Sequence, residues 1–224
     1  MKKYFLFFLF LTVGVHIQGQ KILFVGNSLT YTNDLPNILV EIGNGFDKNI
    51  TTEMVCKPNY AIVDHLDEGI IQQKITTEKY DYVIIQQGPS SQKKGREMLL
   101  DTGKKLRKLC EKYGAKLGYY MVWPSKRYYF TFDKVIANHT EAAEKNNALL
   151  FPVGKYWKQY EAQKPRTSLY GPDQFHPSKA GSFFAALVIF KGLYPTENLK
   201  KLPLKKVKHW VDRKSYTSIL KLLN

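Results

Sequence analysis

Residues 22–30 read Ile22-Leu23-Phe24-Val25-Gly26-Asn27-Ser28-Leu29-Thr30, an apolar run that stops at a glycine and passes into a polar turn. A short continuous apolar run bounded by a turn signal is how a strand buried on both faces of a parallel sheet looks. Outward from it, Tyr82–Ile85 and Leu117–Val122 repeat the pattern. Strands are therefore predicted over 21–26, 81–86 and 116–122, with two more near 50–56 and 149–152. Between them, helical spacing of apolar residues predicts helices near 34–45, 61–72, 94–113 and 133–147. Past His176, Pro177 and Ser178 open a helix bearing Phe183, Phe184, Leu187, Val188 and Phe190, and a last amphipathic helix is predicted over about 205–222. Strands alternating with helices imply right-handed crossovers and a three-layer α/β/α sandwich around a mostly parallel five-stranded sheet. Such sheets bind ligands outside the carboxyl ends of their strands. Ser28, Gln86-Gln87 and Trp123 all fall just past predicted strand ends, so all three are expected to face that crevice.

The length of 224 residues suits a single domain with a full core. Residues 1–19 read as a signal peptide: Lys2 and Lys3 form a positive start, Tyr4 to Val15 an apolar stretch, and the cut is expected just before Gln20. The apolar stretch ends too early for a membrane span. The mature chain, 20–224, is therefore expected to be exported, periplasmic or secreted, with no membrane span. The formal charge is +15, and loss of Lys2 and Lys3 leaves it strongly basic. Much of the charge lies in Lys104, Lys105, Arg107 and Lys108, and in a basic C-terminal helical extension over 199–224. Such a field raises encounter rates with anionic partners, although a solvated lysine-rich face is the plainer reading. Aromatic residues do not interleave with these lysines as in single-strand binders, so no specific nucleic-acid partner is expected. Cys56 and Cys110 are the only cysteines. They read as a strand residue and a buried helix residue, hence as two free buried thiols rather than a disulfide framework.

The chemistry begins with Ser28. A serine hydroxyl is a weak nucleophile until a base takes its proton. Gly26 permits a sharp turn after the strand, and Ser28 then lies near a helix N-terminus, where its own N–H can face a developing oxyanion. The plainer reading of Asn27-Ser28 is a helix-capping turn. Far downstream, Asp173-Gln174-Phe175-His176-Pro177 supplies a candidate base and its carboxylate. Spacing of three residues on a loop brings the Asp173 oxygens to imidazole Nδ1 and leaves Nε2 free for the serine proton. His65, His139 and His209 lie in helical patterns, where packing or surface roles fit better; His16 falls within the signal.

These residues resemble the SGNH (GDSL-type) hydrolase superfamily. The resemblance rests on Gly26-Asn27-Ser28-Leu29-Thr30 after a first strand and Asp173-x-x-His176 before the last core helix, and it spans residues 21 to about 192. It implies a flavodoxin-like α/β/α fold and ester hydrolysis without metal or organic cofactor. By position Ser28 is the nucleophile, His176 the general base and Asp173 its partner. Two other blocks depart from the family. Asn59, in Asn59-Tyr60-Ala61-Ile62-Val63-Asp64-His65, stands where a glycine N–H normally joins the oxyanion hole; asparagine tolerates the left-handed backbone such a donor needs. In place of Gly-x-Asn-Asp, the chain has Gln86-Gln87-Gly88-Pro89-Ser90. This resembles a glutamine-bearing variant of carbohydrate O-acetylesterases, with Gln87, then Gln86 or Ser90, as the expected amide or hydroxyl donor.

For substrate contacts, Trp123 and Arg127 stand out, followed by Tyr128, Tyr129, Phe130 and Phe132. Exposed aromatics there would stack on sugar rings and Arg127 would meet a carboxylate; packing of the loop onto the domain is the alternative. The sequence thus points to an exported monomeric serine esterase removing acetyl or other short acyl groups from a carbohydrate. A lysophospholipase or thioesterase of the same fold remains open, as does a non-catalytic module holding a glycan or polyanion.

Overall fold

A computed structural model describes residues 19–223. Strand β1 (Gln20–Gly26) is the inner strand around which the sheet grows, paired in parallel with β2 (Ile50–Cys56) on one side and β3 (Tyr82–Ile85) on the other. β4 (Lys116–Tyr120) and β5 (Leu149–Phe151) extend it, and all pairings are parallel in the order β2-β1-β3-β4-β5. The order reverses at β1/β3, which opens a crevice at the carboxyl ends of those strands.

The continuous apolar strands are explained by cover on both faces. Ile22, Phe24 and Ile84 point into a cluster shared with α2 (Leu35–Gly45), α7 (Val153–Ala162) and α8 (Lys179–Leu193). Leu23, Val25, Val83 and Ile85 point the other way, toward α3 (Ile62–Glu68), α4 (Ile70–Thr77) and α5 (Lys93–Lys112). Alternation of side chains along a strand produces this division. The edge strand β2 has only one well-covered neighbour, and its Thr51 and Met54 are exposed.

All five predicted strands are present within two residues of their expected limits. The helix expected over 61–72 is instead two, because Gly69 takes a left-handed φ of 77° that ends α3 and starts α4. The helix expected over 205–222 is also two, α9 (Leu204–Val207) and α10 (Arg213–Leu223). Asp212 starts the second: its carboxylate accepts from the N–H groups of Lys214 (2.9 Å) and Ser215 (3.1 Å). α7, behind Pro152, is not foreseen by the sequence reading. The C-terminal segment packs into the core: Leu199, Leu202, Val207, Val211 and Ile219 are buried in the α2/α8 cluster, while Lys200, Lys201, Lys205, Lys206 and Lys208 face outward. Each such burial contributes about 1.5–3 kcal/mol. Cys110 is buried, Cys56 is partly exposed, and both are free. The expected signal lies, up to Gln18, outside the described residues. Among the described residues no helix is long and apolar enough to cross a membrane.

Candidate active site

At the carboxyl end of β1 the chain passes through Asn27 into α1 (Ser28–Tyr31), a single turn. Asn27 caps it, its Oδ1 accepting the Leu29 N–H at 3.1 Å. The space that makes Gly26 necessary is taken by neighbours rather than by a strained backbone: a Cβ there would lie 2.5 Å from Gln86 Oε1 and 2.8 Å from Thr30 Oγ1. Gln86 uses that space to bracket the turn. Its Oε1 accepts from Asn27 N (3.0 Å) and Thr30 Oγ1 (2.8 Å), and its Nε2 donates to Asn27 Oδ1 (3.1 Å). Asn27 Nδ2 in turn donates to Tyr60 O at 2.9 Å, tying the second block to the first.

Ser28 Oγ lies 2.8 Å from His176 Nε2, and His176 Nδ1 lies 2.5 Å from Asp173 Oδ2. The two segments that are 148 residues apart in sequence thus meet. Asp173 also organises its own loop, Oδ1 accepting from the N–H groups of Phe175 (3.0 Å) and His176 (2.9 Å), with Gln174 left-handed at φ 60°. The His176 imidazole, first, and these N–H groups hold the Asp173 carboxyl below the usual carboxylate range. The loop is pinned by Gly171 N donating to His176 O (2.7 Å), Lys126 N to Gln174 O (2.9 Å) and Ser178 N to Leu169 O (2.8 Å). Asn33 bridges the two halves, its Nδ2 donating to Pro177 O (3.2 Å) and Ser182 Oγ (2.9 Å). A hydroxyl, an imidazole and a carboxylate in this order can move a proton off the oxygen and stabilise the imidazolium that results.

Two backbone donors beside the hydroxyl are unspent. Among the described residues neither Ser28 N–H nor Asn59 N–H has an acceptor, and both residues line one cleft. Asn59 has φ 62°, the left-handed conformation the sequence reading asks of it. The expected amide donor is not available. Gln87 is buried, and its Nε2 donates to Ser90 Oγ (2.7 Å) and Gly95 O (3.2 Å), so both amide hydrogens are used. Ser90 donates onward to Gly88 O at 3.0 Å and Gln86 is occupied by the turn, so neither replaces it. The third-block side chains brace the site instead.

Trp123 also differs from expectation. It is fully buried, stacked on Trp157 with ring centroids 3.5 Å apart, and its Nε1 donates to Phe175 O at 3.0 Å. It supports the Asp173–His176 loop from the core and offers no face to a substrate. Arg127, by contrast, lines the cleft, exposed on the 3-10 turn Lys126–Thr131 with Tyr128 and Phe130. The cleft has a volume of about 1260 Å³. Among the described residues no three His, Cys, Asp or Glu side chains group to hold a metal ion.

The sequence predicts a packing or surface role for His65. It is fully buried, and its Nε2 lies 2.8 Å from Gly26 O, so the neutral ring donates to the backbone just before the nucleophile turn. Burial lowers its pKa from the ordinary imidazole value. Its place in the Asn59–His65 block was the available signal; the role needed the fold.

No family model and no curated protein matches the chain in sequence. Solved structures do match in shape. A protein assigned to the SGNH hydrolases from Slackia heliotrinireducens superposes with a TM-score of 0.68 at 23% identity, over 79% of this chain and 100% of that one. The chain has the SGNH-hydrolase fold. A DUF4886-family protein from Bacteroides uniformis shares the fold with a TM-score of 0.74 at 15% identity, over 92% of this chain and 93% of that one. An acetyl-xylooligosaccharide esterase from Geobacillus shares it with a TM-score of 0.56 at 15% identity, over 79% and 93%. Within the SGNH-hydrolase fold, the cleft described above lies at the carboxyl ends of β1 and β3.

Proposed function

We propose that this chain is an exported serine esterase that removes acetyl or another short acyl group from a carbohydrate. The observation that carries the reading is the unbroken relay from Ser28 Oγ through His176 to Asp173 beside a cleft lined by Ser28 and Asp173. Ser28 Oγ attacks the ester carbonyl and passes its proton to His176 Nε2. Asp173 holds the ring in the tautomer that receives it and stabilises the imidazolium. The Ser28 and Asn59 N–H groups meet the oxyanion. The intermediate collapses to acyl-Ser28, and the leaving sugar oxygen takes the proton from His176. Water, deprotonated by His176, then attacks the acyl group; the carboxylic acid leaves and Ser28 regains its proton. The acetyl-xylooligosaccharide esterase of the same fold supports the choice of acyl group and substrate class, and the apolar stretch Tyr4 to Val15 supports export.

Ser28→Ala is expected to abolish p-nitrophenyl acetate hydrolysis while the circular dichroism spectrum stays unchanged. Undiminished turnover in that variant would remove Ser28 as nucleophile and the mechanism with it.

A further inference from the structure

Three cations stand in the wall of the cleft outside any salt bridge among the described residues, Lys134 contributing only at longer range to the field at Glu141. Lys94, Arg127 and Lys134 line it and are exposed, and among the described residues none forms a salt bridge. The carboxylates near them in sequence or on their helices are engaged elsewhere: Asp133 with Lys158 (2.6 Å), Glu97 with Lys93 (3.8 Å) and Glu141 with Arg96. Asp173, among the described residues the one carboxylate lining the cleft, is held by His176 and two backbone N–H groups. Lys94 and Lys134 also sit in the first turns of α5 and of α6 (Phe132–Lys145). The positive end of a helix dipole disfavours cations there, so these lysines oppose the local stability of both helices.

Beside them the rim is aromatic. Phe130 is 82% exposed and Tyr128 51%, with ring centroids 6.3 Å apart and the Arg127 guanidinium 5.6 Å from the Tyr128 ring. Exposed apolar surface gathered at a cleft mouth marks a contact face. The cleft, at about 1260 Å³, exceeds the roughly 300–1,000 Å³ usual for a small ligand and has room for several sugar rings.

We infer that the cleft selects an acylated oligosaccharide bearing carboxylates, of the uronate kind. This rests on the esterase reading above and names its substrate class. The sugar rings stack on Phe130 and Tyr128, the carboxylates pair with Arg127, Lys134 and Lys94, and the acyl ester reaches Ser28. A neutral glycan would use the aromatic rim but offer the cations only hydroxyls and no opposite charge, and an aliphatic acyl chain would offer them no polar group.

The test is calorimetric binding to Ser28→Ala protein, with tetragalacturonate and neutral xylotetraose as probes. Tetragalacturonate is expected to bind at least about tenfold tighter at low salt, with the advantage shrinking at about 0.15 M ionic strength. The advantage is expected to vanish in an added Arg127→Ala/Lys134→Ala pair. Phe130→Ala, at a side chain almost wholly in solvent, should weaken both ligands. Equal affinities for the two tetrasaccharides, or an anionic preference that survives both salt and the double substitution, overturns the inference. Wild-type p-nitrophenyl acetate turnover reports separately on the esterase reading. Hydrolysis without anionic preference rejects only the inference; anionic preference without hydrolysis supports the cleft chemistry and rejects the esterase.

Discussion

Gln86 makes three hydrogen bonds to the turn that presents Ser28, is buried, and does not line the cleft. It is therefore a positioning residue, acting through Asn27 and Thr30. Gln86→Met keeps the volume and removes all three bonds, each worth about 0.5–1.5 kcal/mol net. Because misplacing a reacting atom by an ångström can cost about a hundredfold, kcat on p-nitrophenyl acetate is expected to fall about ten- to a hundredfold with KM little changed. Steady-state kinetics beside a circular dichroism control checks this; kcat within twofold of wild type would mean the turn holds without Gln86. The sequence could offer Gln86 and Gln87 only as two amides past a strand end. Which of them faces the turn and which is consumed by Ser90 and Gly95 depends on the direction of two adjacent side chains, and that is set by packing.

The elements were legible to different degrees, for identifiable reasons. β1 and β3 are covered on both faces, so their sequences are apolar throughout and leave little choice. The edge strand β2 is less apolar, and its β-branched Ile50, Thr51, Thr52 and Val55 suit a half-exposed strand. α7 escaped because its core residues Trp157 and Tyr160 sit among Lys155, Lys158 and Gln159, a pattern that does not stand out from a loop. The break at Gly69 and the restart at Asp212 are local backbone events that apolar periodicity runs straight across. β2 and α5 also carry the two thiols, and burial pushes both up to about 12. Thiolate is the reactive form, so neither cysteine is expected to react with iodoacetamide at neutral pH in the native protein. Both should react once the chain is unfolded, and mass spectrometry before and after denaturant reads the difference. Rapid native labelling of Cys110 would contradict its position inside the helical layer.

For the molecule as a whole, the buried histidines His65 and His139 set an acid limit on stability. His139 donates from Nδ1 to Val135 O at 2.8 Å, has no partner at Nε2, and burial lowers its pKa from the ordinary 6.5 to about 4. His65 is shifted in the same direction by the same cause. As pH falls below 6.5 the unfolded chain takes up these protons and the folded chain does not, so stability is whole above that value and declines from there toward pH 4. For His139 the loss amounts to about 3 kcal/mol, at about 1.4 kcal/mol per pH unit. The depressed carboxylates lose their contribution at lower pH, Glu53, Glu68, Glu78 and Glu141 from below the ordinary 4.5 and Asp173 and Asp212 from below the ordinary 3.8. Thermal melts at pH 7 and pH 4.5 are expected to differ more for wild type than for His139→Leu. An identical pH dependence in the two proteins would remove His139 as a source.

Continuous apolar strands alternating with helical periods make the layered α/β architecture legible before folding is considered, and residue type and spacing mark Ser28, Asp173 and His176 as residues able to act together. Residue type and spacing carry that information because an apolar run, a helical period and an Asp-x-x-His loop are each written in a short stretch of chain. The packing of distant segments brings Ser28 Oγ to 2.8 Å from His176 Nε2. It alone turned Trp123 into the core and spent the Gln87 amide on Ser90 and Gly95, and it alone drew Lys94, Arg127 and Lys134 into one cleft wall. Those outcomes depend on the direction in which each side chain leaves its element and on which distant segments pack beside it. Neither is encoded in any one stretch of the chain.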